Sequence, residues 1–296
     1  MKVLVLLGGD SPEREVSLRS GRAVSEALAI GGHEVSEYDP AGGYEGLKQF
    51  VDKVDCVFPI LHGRGGEDGE VQQQLEKLGL KFLGADAQVS ALCFDKVEFK
   101  RMLNKLSILT PDSEIVDADS IKESALIKKP FVLKPIDGGS TIDTLIVRDP
   151  DSQIDMTLFN RHPKMLLEQL IEGVEITIPV LGSKALPVIE IIPPEGGEFD
   201  YENKYNGATQ EICPPLNVSE QNQKKAQAIA KQVHREAGVR HLSRTDIIID
   251  EDDQHWVLEL NTMPGMTAQS LFPKSAAVAG ITMQQLVDKF TTMASE

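Results

Sequence analysis

Apolar positions along this chain of 296 residues follow two periods. Short continuous runs bounded by glycine, proline or charge predict buried strands: KVLVLL near the start, DCVFPIL at 55–61, SEIVDA after Leu109, FVLKP, TLIVRD, MLLEQ, VEITIPVLG and LPVIEIIPP. Helical spacing predicts helices elsewhere. Val16, Ala23, Val24, Ala27 and Leu28 share one face, as do Ala226, Ile229, Ala230 and Val233, and DKVEFKRMLNKL is amphipathic. Further helices are expected over Val71 to Leu78 and near Met283 to Met293. Ser11 fits an N-cap, Pro12 the first helical position and Glu15 a capping box, while Gly238 fits a helix C-terminus. Strand and helix alternate up to about residue 90, which predicts a small parallel α/β domain.

Residues 244–270 break this rhythm. Ile247 to Ile249, an acidic turn, then Trp256 to Leu260 predict a β-hairpin. Asp246 opens the first strand and Glu259 closes the second, so pairing sets them side by side; Asn261 lies two residues on, facing the same way. Two carboxylates and an amide oxygen are hard ligands suited to Mg²⁺ on a phosphate, or else the polar end of an ordinary hairpin. Strands also feed two glycine turns. Gly8-Gly9 precedes a helix N-terminus, a layout that presents N–H groups to an anion. His62 follows a strand and leads a loop with four glycines, where α/β sheets bind ligands. Lys134 sits in an apolar strand before Gly138, Gly139, Ser140 and Thr141, which is either a phosphate cradle or a plain hairpin with a surface lysine. Glu168 and Glu175, on or near strands, can take nucleoside hydroxyls or amines, or can be solvated edge residues.

A formal charge of −16 argues against nucleic acid and against an anionic membrane surface as partners. A polyphosphate ligand would therefore need local lysines and a metal. No apolar run approaches the length of a membrane span, and KVLVLL is too short for a signal sequence. Cys56, Cys93 and Cys213 form neither a disulfide framework nor a zinc pattern, so the expected home is the cytoplasm.

In order, GGDSPEREVSLRSG, LHGRGGEDG, Asp95-Lys96, Lys134-Pro135 with GGST, EQLIEGVE, YENKY, and RTD with ELNTMPGMTAQSL resemble the D-alanine–D-alanine ligases of the ATP-grasp superfamily. The resemblance runs over essentially the whole chain. It implies three α/β domains, at 1–92, 93–174 and 175–296, with ATP between the central and C-terminal ones. The implied reaction joins two D-alanines for peptidoglycan precursor synthesis through an acyl phosphate, giving ADP and phosphate. Asp246, Glu259 and Asn261 would hold two Mg²⁺ (or Mn²⁺), and Lys96, Lys134 and Lys204 would contact phosphates with Ser140 and Thr141. Glu168 would take the adenine side, the backbone of Gln169 and Ile171 its edge, and Glu175 the ribose. Glu15, Ser140 and Tyr205 would form a network, with Glu15 and His62 on the first D-alanine. Arg244 and Gly265 would stabilise the oxyanion, and Ser270 and Leu271 would receive the second carboxylate. Tyr205 implies D-alanine as second substrate, Gly207 and Ala208, beside YENKY, are candidate parts of a closing lid, and a homodimer is implied.

The chain departs from the family pattern at Asp143, where the glycine loop usually has a glycine, and at Ser243, before Arg244, where glycine is also usual. A charge at 143 points away or weakens ATP binding. Another ATP-grasp carboxylate–amine or depsipeptide ligase, or a nucleotide binder of weak activity, are the alternatives.

Overall fold

The computed structural model describes residues 1–139, 141–194 and 209–296. The first apolar run forms β1 (Lys2–Leu6), which lies between β2 (Glu34–Tyr38) and β3 (Cys56–Pro59) in a parallel sheet. Parallel neighbours need a crossover, and α1 (Arg14–Ile30) supplies it between β1 and β2; α2 (Glu70–Lys77) follows β3. The apolar segment KFLG at 81–84 contributes only an isolated bridge between Val57 and Phe82.

Helix α1 starts later than Ser11 and Pro12 suggest. Glu13 occupies the cap position, and the Ser11 hydroxyl instead accepts from Glu13 N (3.2 Å) and donates to the His62 carbonyl (2.7 Å). That cross-link to the glycine loop holds residues 11–13 in a turn, so the expected capping box with Glu15 does not form.

A second, antiparallel sheet has the order β4-β7-β5-β6, from β4 (Ser113–Val116), β5 (Phe131–Pro135), β6 (Leu145–Val147) and β7 (Met165–Gln169). Numbering the described helices in chain order, α3 (Ala87–Phe94) and α4 (Lys96–Lys105) precede this sheet, and α5 (Leu158–Arg161) precedes β7. A third sheet joins β8 (Val174–Leu181), β10 (Ile189–Ile192), β11 (Gln210–Ile212), β12 (Leu242–Ile249) and β13 (His255–Asn261), with the short β9 (Lys184–Ala185) on β8. Its pairings are antiparallel, in the order β11-β10-β8-β12-β13. Helix α6 (Glu220–Glu236) ends before Gly238, which takes the left-handed conformation (φ 81°) expected of a residue just past a helix. Helices α7 (Leu271–Val278) and α8 (Met283–Ser295) close the chain, α8 behind a capping box of Thr282 and Gln285.

The hydrophobic cores do not follow chain order. Val3, Val5 and Phe58 of the first sheet pack with Phe272 of α7 and with Leu286 and Phe290 of α8. Phe58 and Phe290 meet edge to face at 6.4 Å between ring centres. Phe99 and Leu103 of α4 pack with Ile176, Ile178 and Ile247 of the third sheet, whereas Phe131, Leu133 and Leu167 form a separate core in the second. The segments 1–92, 93–174 and 175–296 therefore exchange elements: α4 lies under the third sheet and α8 on the first.

Candidate active site

The β12–β13 hairpin forms as expected, with Asp246 opposite Glu259 and Arg244 opposite Asn261. A bulge follows immediately, since Ile247 pairs with Val257 and leaves Leu258 as an extra residue. A bulge re-aims side chains, and Leu258 and Glu259 consequently line the same cavity although they are adjacent. Asp246 is nearly buried. Its two oxygens accept from Arg244 Nε (2.9 Å) and Nη2 (2.6 Å), and one also accepts from Thr177. Burial works against the Arg244 charge, but Asp246, Glu259 and Glu67 outweigh it and hold the guanidinium firmly protonated. Asn261 Oδ1 accepts from Met263 N (2.9 Å), and the Glu259 carboxylate, which supports the charges of Lys96 and Arg244, makes no hydrogen bond or ion pair of its own with another described residue.

Two cavities adjoin this hairpin. One, of about 550 Å³, lies between the second and third sheets and is lined by Lys96, Lys134, Thr141, Glu168, Gln169, Ile171, Glu175, Asp246 and Glu259. In β5, Phe131 and Leu133 point into the core, so Val132 and Lys134 face the cavity; Glu168 lies opposite Val132. This diagonal lets Lys134 Nζ reach Glu168 Oε2 at 2.5 Å, while Lys100 Nζ from α4 takes Oε1 at 2.7 Å and donates to Thr110 (2.9 Å). Burial raises the Glu168 carboxyl, but the two ammonium groups more than offset it and keep the group below its ordinary value. Glu168 is thus first of all a buried counter-ion that aims Lys134. Lys100 carried no sequence signal, being one of several charges on an amphipathic helix.

The other cavity, of about 630 Å³, is lined by Glu13, His62, Glu67, Arg244, Asn261, Gly265, Ser270 and Leu271, among others. Glu15 is not among its walls and lies exposed on α1. Glu13 takes the place on this wall that was expected of Glu15: two positions on a helix turn a side chain by about 200°, so only one of the pair can face inward. Glu13 is buried between both glycine loops; a Cβ added at Gly63 would meet its Oε2 at 2.7 Å, and one at Gly139 would meet it at 3.1 Å. Val16, on the same helix face, also lines this cavity and is covered. His62 is buried, with Nε2 3.4 Å from Ser20 Oγ, and burial lowers it to about 4, so the ring is neutral near pH 7. Glu67 was not foreseen. Its Oε2 accepts from Gly63 N (2.6 Å), and burial beside Glu13 raises its carboxyl.

Gly265 lies close against Ser270, since a Cβ there would meet Ser270 Oγ at 2.9 Å. Ser270 is the cap residue of α7, but its hydroxyl turns back to Thr267 N (3.1 Å) and Oγ1 (2.9 Å) rather than into the helix. Pro273 lacks an N–H, so the first turn of α7 offers the amides of Leu271 and Phe272 to an incoming anion.

Among the described residues four, Lys96, Gly138, Gly139 and Glu259, line both cavities. Lys96 Nζ donates to the Gly138 carbonyl (2.7 Å), and burial lowers its basicity against the pull of Glu259. Asp143 faces away from the cavities: Arg161 donates to it through Nη2 (2.7 Å) and Nε (3.2 Å), and His162 Nε2 lies 2.8 Å from it. Ser243, the other departure, is buried with its hydroxyl 2.7 Å from His234 Nδ1. Ser140, Lys204, Tyr205, Gly207 and Ala208 lie outside the described residues.

Hard oxygen donors facing each other across β12 and β13 suit a hard divalent cation. Among the described residues, no three His, Cys, Asp or Glu cluster at metal-binding distance. The set here is two carboxylates and an amide. No helix among the described residues is long and apolar enough to cross a membrane.

Residues 40–85 match the family described as D-ala D-ala ligase N-terminus, and residues 102–292 match D-ala D-ala ligase C-terminus. The chain is 40% identical to the D-alanine–D-alanine ligase of Gloeobacter violaceus, with 98% of each chain covered. It is also 40% identical to that of Syntrophobacter fumaroxidans, covering 100% of this chain and 98% of the relative. Among solved structures, the D-alanine–D-alanine ligase of Bacillus anthracis superposes with a TM-score of 0.87 at 32% identity, over 99% of this chain and 97% of that one. The VanG D-Ala:D-Ser ligase of Enterococcus faecalis superposes with a TM-score of 0.83 at 27% identity, with 99% of each chain covered.

Proposed function

The chain belongs to the D-alanine–D-alanine ligase family, and from that premise we propose that it joins two D-alanines into D-alanyl-D-alanine at the expense of ATP. The observation that carries this reading is the wall shared by the two cavities. A nucleotide in the cavity between the sheets has its terminal phosphate at Lys96, Gly138, Gly139 and Glu259. An amino acid in the other cavity reaches the same four residues from the opposite side.

The chemistry follows from that meeting. A carboxylate oxygen of the first D-alanine attacks the γ-phosphorus, the bond to the ADP oxygen breaks, and an acyl phosphate forms. The amine of the second D-alanine then attacks the acyl carbon, loses a proton, and displaces phosphate. Phosphoryl transfer asks for positioning and charge neutralisation, which Lys134 and Lys96 supply. Glu13, not Glu15, holds the first ammonium, beside the neutral ring of His62. Arg244, fixed by Asp246, and the N–H of Gly265 face the oxyanion of the tetrahedral intermediate. The second carboxylate binds at the α7 N-terminus, at Ser270 and Leu271. Glu175 takes the ribose, and the backbone of Gln169 and Ile171 takes the adenine edge. Asp246, Glu259 and Asn261 would hold Mg²⁺, which neutralises phosphate charge. Ser140 and Tyr205 complete a network with Glu13, Lys204 adds a phosphate contact, and the protein acts as a cytoplasmic homodimer.

Phosphate release measured with D-alanine alone and with D-alanine plus D-serine or D-lactate tests the substrate assignment. Fastest release with D-alanine alone is expected. Faster release with either mixture would reassign the second substrate.

A further inference from the structure

We propose that the Asp143 carboxylate, clasped by Arg161 and His162, anchors the nucleotide-facing residues 141–144 and is a positioning residue for ATP. This rests on the ligase reading of the cavity between the second and third sheets. Residues 141–144 lead into β6, and their conformation is unusual. Thr141 and Asp143 both adopt left-handed backbone angles, with φ of 61° and 56°. Glycine takes such angles freely; other residues hold them only when surrounding contacts fix them.

Such contacts are present. Ahead of these residues, Lys96 N donates to the Ile136 carbonyl (3.0 Å) and Lys96 Nζ to the Gly138 carbonyl (2.7 Å). Arg64, from the glycine loop of the first domain, forms an ion pair with Asp137. Within 141–144 the anchor is Asp143. Arg161, the last residue of α5, grips both carboxylate oxygens at 2.7 and 3.2 Å, and His162 Nε2 is 2.8 Å from Oδ2.

The direction of Asp143 gives the arrangement its meaning. Thr141, Ile142 and Thr144 line the nucleotide cavity, and Asp143 does not. Pointing outward, its negative charge is neutralised by α5 instead of facing phosphate. The same bonds hold the backbone on either side in the conformation that presents Thr141 and Thr144 to the cavity. An aspartate in place of the family's usual glycine thus exchanges backbone freedom for an external tether. Arg161 is also near the carboxylate of Asp155, which supports its charge.

The test is equilibrium binding of the non-hydrolysable analogue AMP-PNP with Mg²⁺, by calorimetry, to wild type, Asp143→Asn, Arg161→Ala and the double variant. Asparagine tolerates the left-handed angles, so Asp143→Asn removes the ion pairs with little change in backbone preference. Each single variant is expected to weaken binding about fivefold, the scale of a partly exposed charge pair. The double variant is expected to be no weaker than the worse single one, because both remove the same tether. Arg161→Lys, which keeps the charge but loses the fork, is expected to fall between wild type and Arg161→Ala. The KM for D-alanine and the thermal midpoint should stay near wild type. Binding within twofold of wild type in both single variants, or additive losses in the double variant, would overturn the proposal. So would a rise in the KM for D-alanine in step with the nucleotide constant. A wild type that binds no nucleotide defeats the ligase reading, and this inference with it. Normal wild-type binding beside unaffected variants defeats this inference alone.

Discussion

Replacing Glu168 by glutamine removes one negative charge from between two buried lysines. The Glu168 side chain is 3% exposed, that of Lys100 is 4% and that of Lys134 is 13%. In the wild type the carboxylate neutralises both, and Lys100 has Thr110 as a further partner. Without it two ammonium groups face each other with little water to screen them. Breaking a buried pair by removing one member costs about 3–5 kcal/mol. At roughly 2 °C per kcal/mol for a chain of this size, the thermal midpoint at pH 7 should fall by about 6–10 °C. The pH dependence gives a second check. Burial already lowers the basicity of Lys100 against the pull of Glu168. With Glu168 gone it falls further, so the folded variant binds fewer protons than the unfolded chain as pH rises toward the ordinary lysine value. Stability of the variant relative to wild type must then recover as pH rises from 7 to 9.5. Adding Lys100→Met should restore part of the loss at pH 7. Thermal unfolding followed by circular dichroism at both pH values reads all three. A loss below about 1 kcal/mol, or a deficit that grows with pH, would mean that Glu168 does not neutralise the two buried lysines.

The remaining predictions concern the other cavity, the metal and acid. Glu13→Gln should raise the KM for the first D-alanine by about 10- to 100-fold, the worth of a charge-assisted hydrogen bond, while Glu15→Gln leaves it unchanged; the reverse order in initial-rate kinetics would restore Glu15. Glu259→Gln should raise the Mg²⁺ concentration for half-maximal rate by at least about tenfold; an unchanged Mg²⁺ requirement in initial-rate kinetics would remove Glu259 from the metal set. His62 and His234, both buried and both lowered to about 4, bind fewer protons folded than unfolded between that value and 6.5. Stability should therefore fall as pH drops through that window, by on the order of 1–3 kcal/mol for each. Equal denaturant midpoints at pH 7 and pH 5 would contradict this.

What the sequence made legible was mostly local. Alternation along β12 and β13 places Asp246 opposite Glu259 and Asn261 on the same side, and the structure keeps that register. The bulge at Leu258 was not legible, because an extra residue in one strand has no signature when both neighbours fit a strand. Glu13 and Glu15 show how far a small boundary shift reaches. The Ser11 hydroxyl satisfies the His62 carbonyl instead of capping α1, and the two glutamates exchange inside for outside. Long-range pairing was hidden for a different reason. An amphipathic stripe shows that α4 and α8 bury one face, but not that α4 lies under the third sheet and α8 on the first. For the same reason Lys100 could not be matched to Glu168, nor Arg161 and His162 to Asp143. The departure at Asp143, read from sequence as a charge that either turns outward or weakens phosphate binding, turns outward.

The central claim is that one carboxylate is phosphorylated at the shared wall and then captured by a second amine. D-Alanine labelled with ¹⁸O in both carboxylate oxygens, incubated with ATP and Mg²⁺, tests it directly by mass spectrometry of both products. Attack on phosphorus leaves one labelled oxygen in the acyl phosphate bridge, and that oxygen departs with the phosphate. Inorganic phosphate should carry one ¹⁸O for every D-alanyl-D-alanine formed. Unlabelled phosphate, or ADP release without dipeptide, would contradict it.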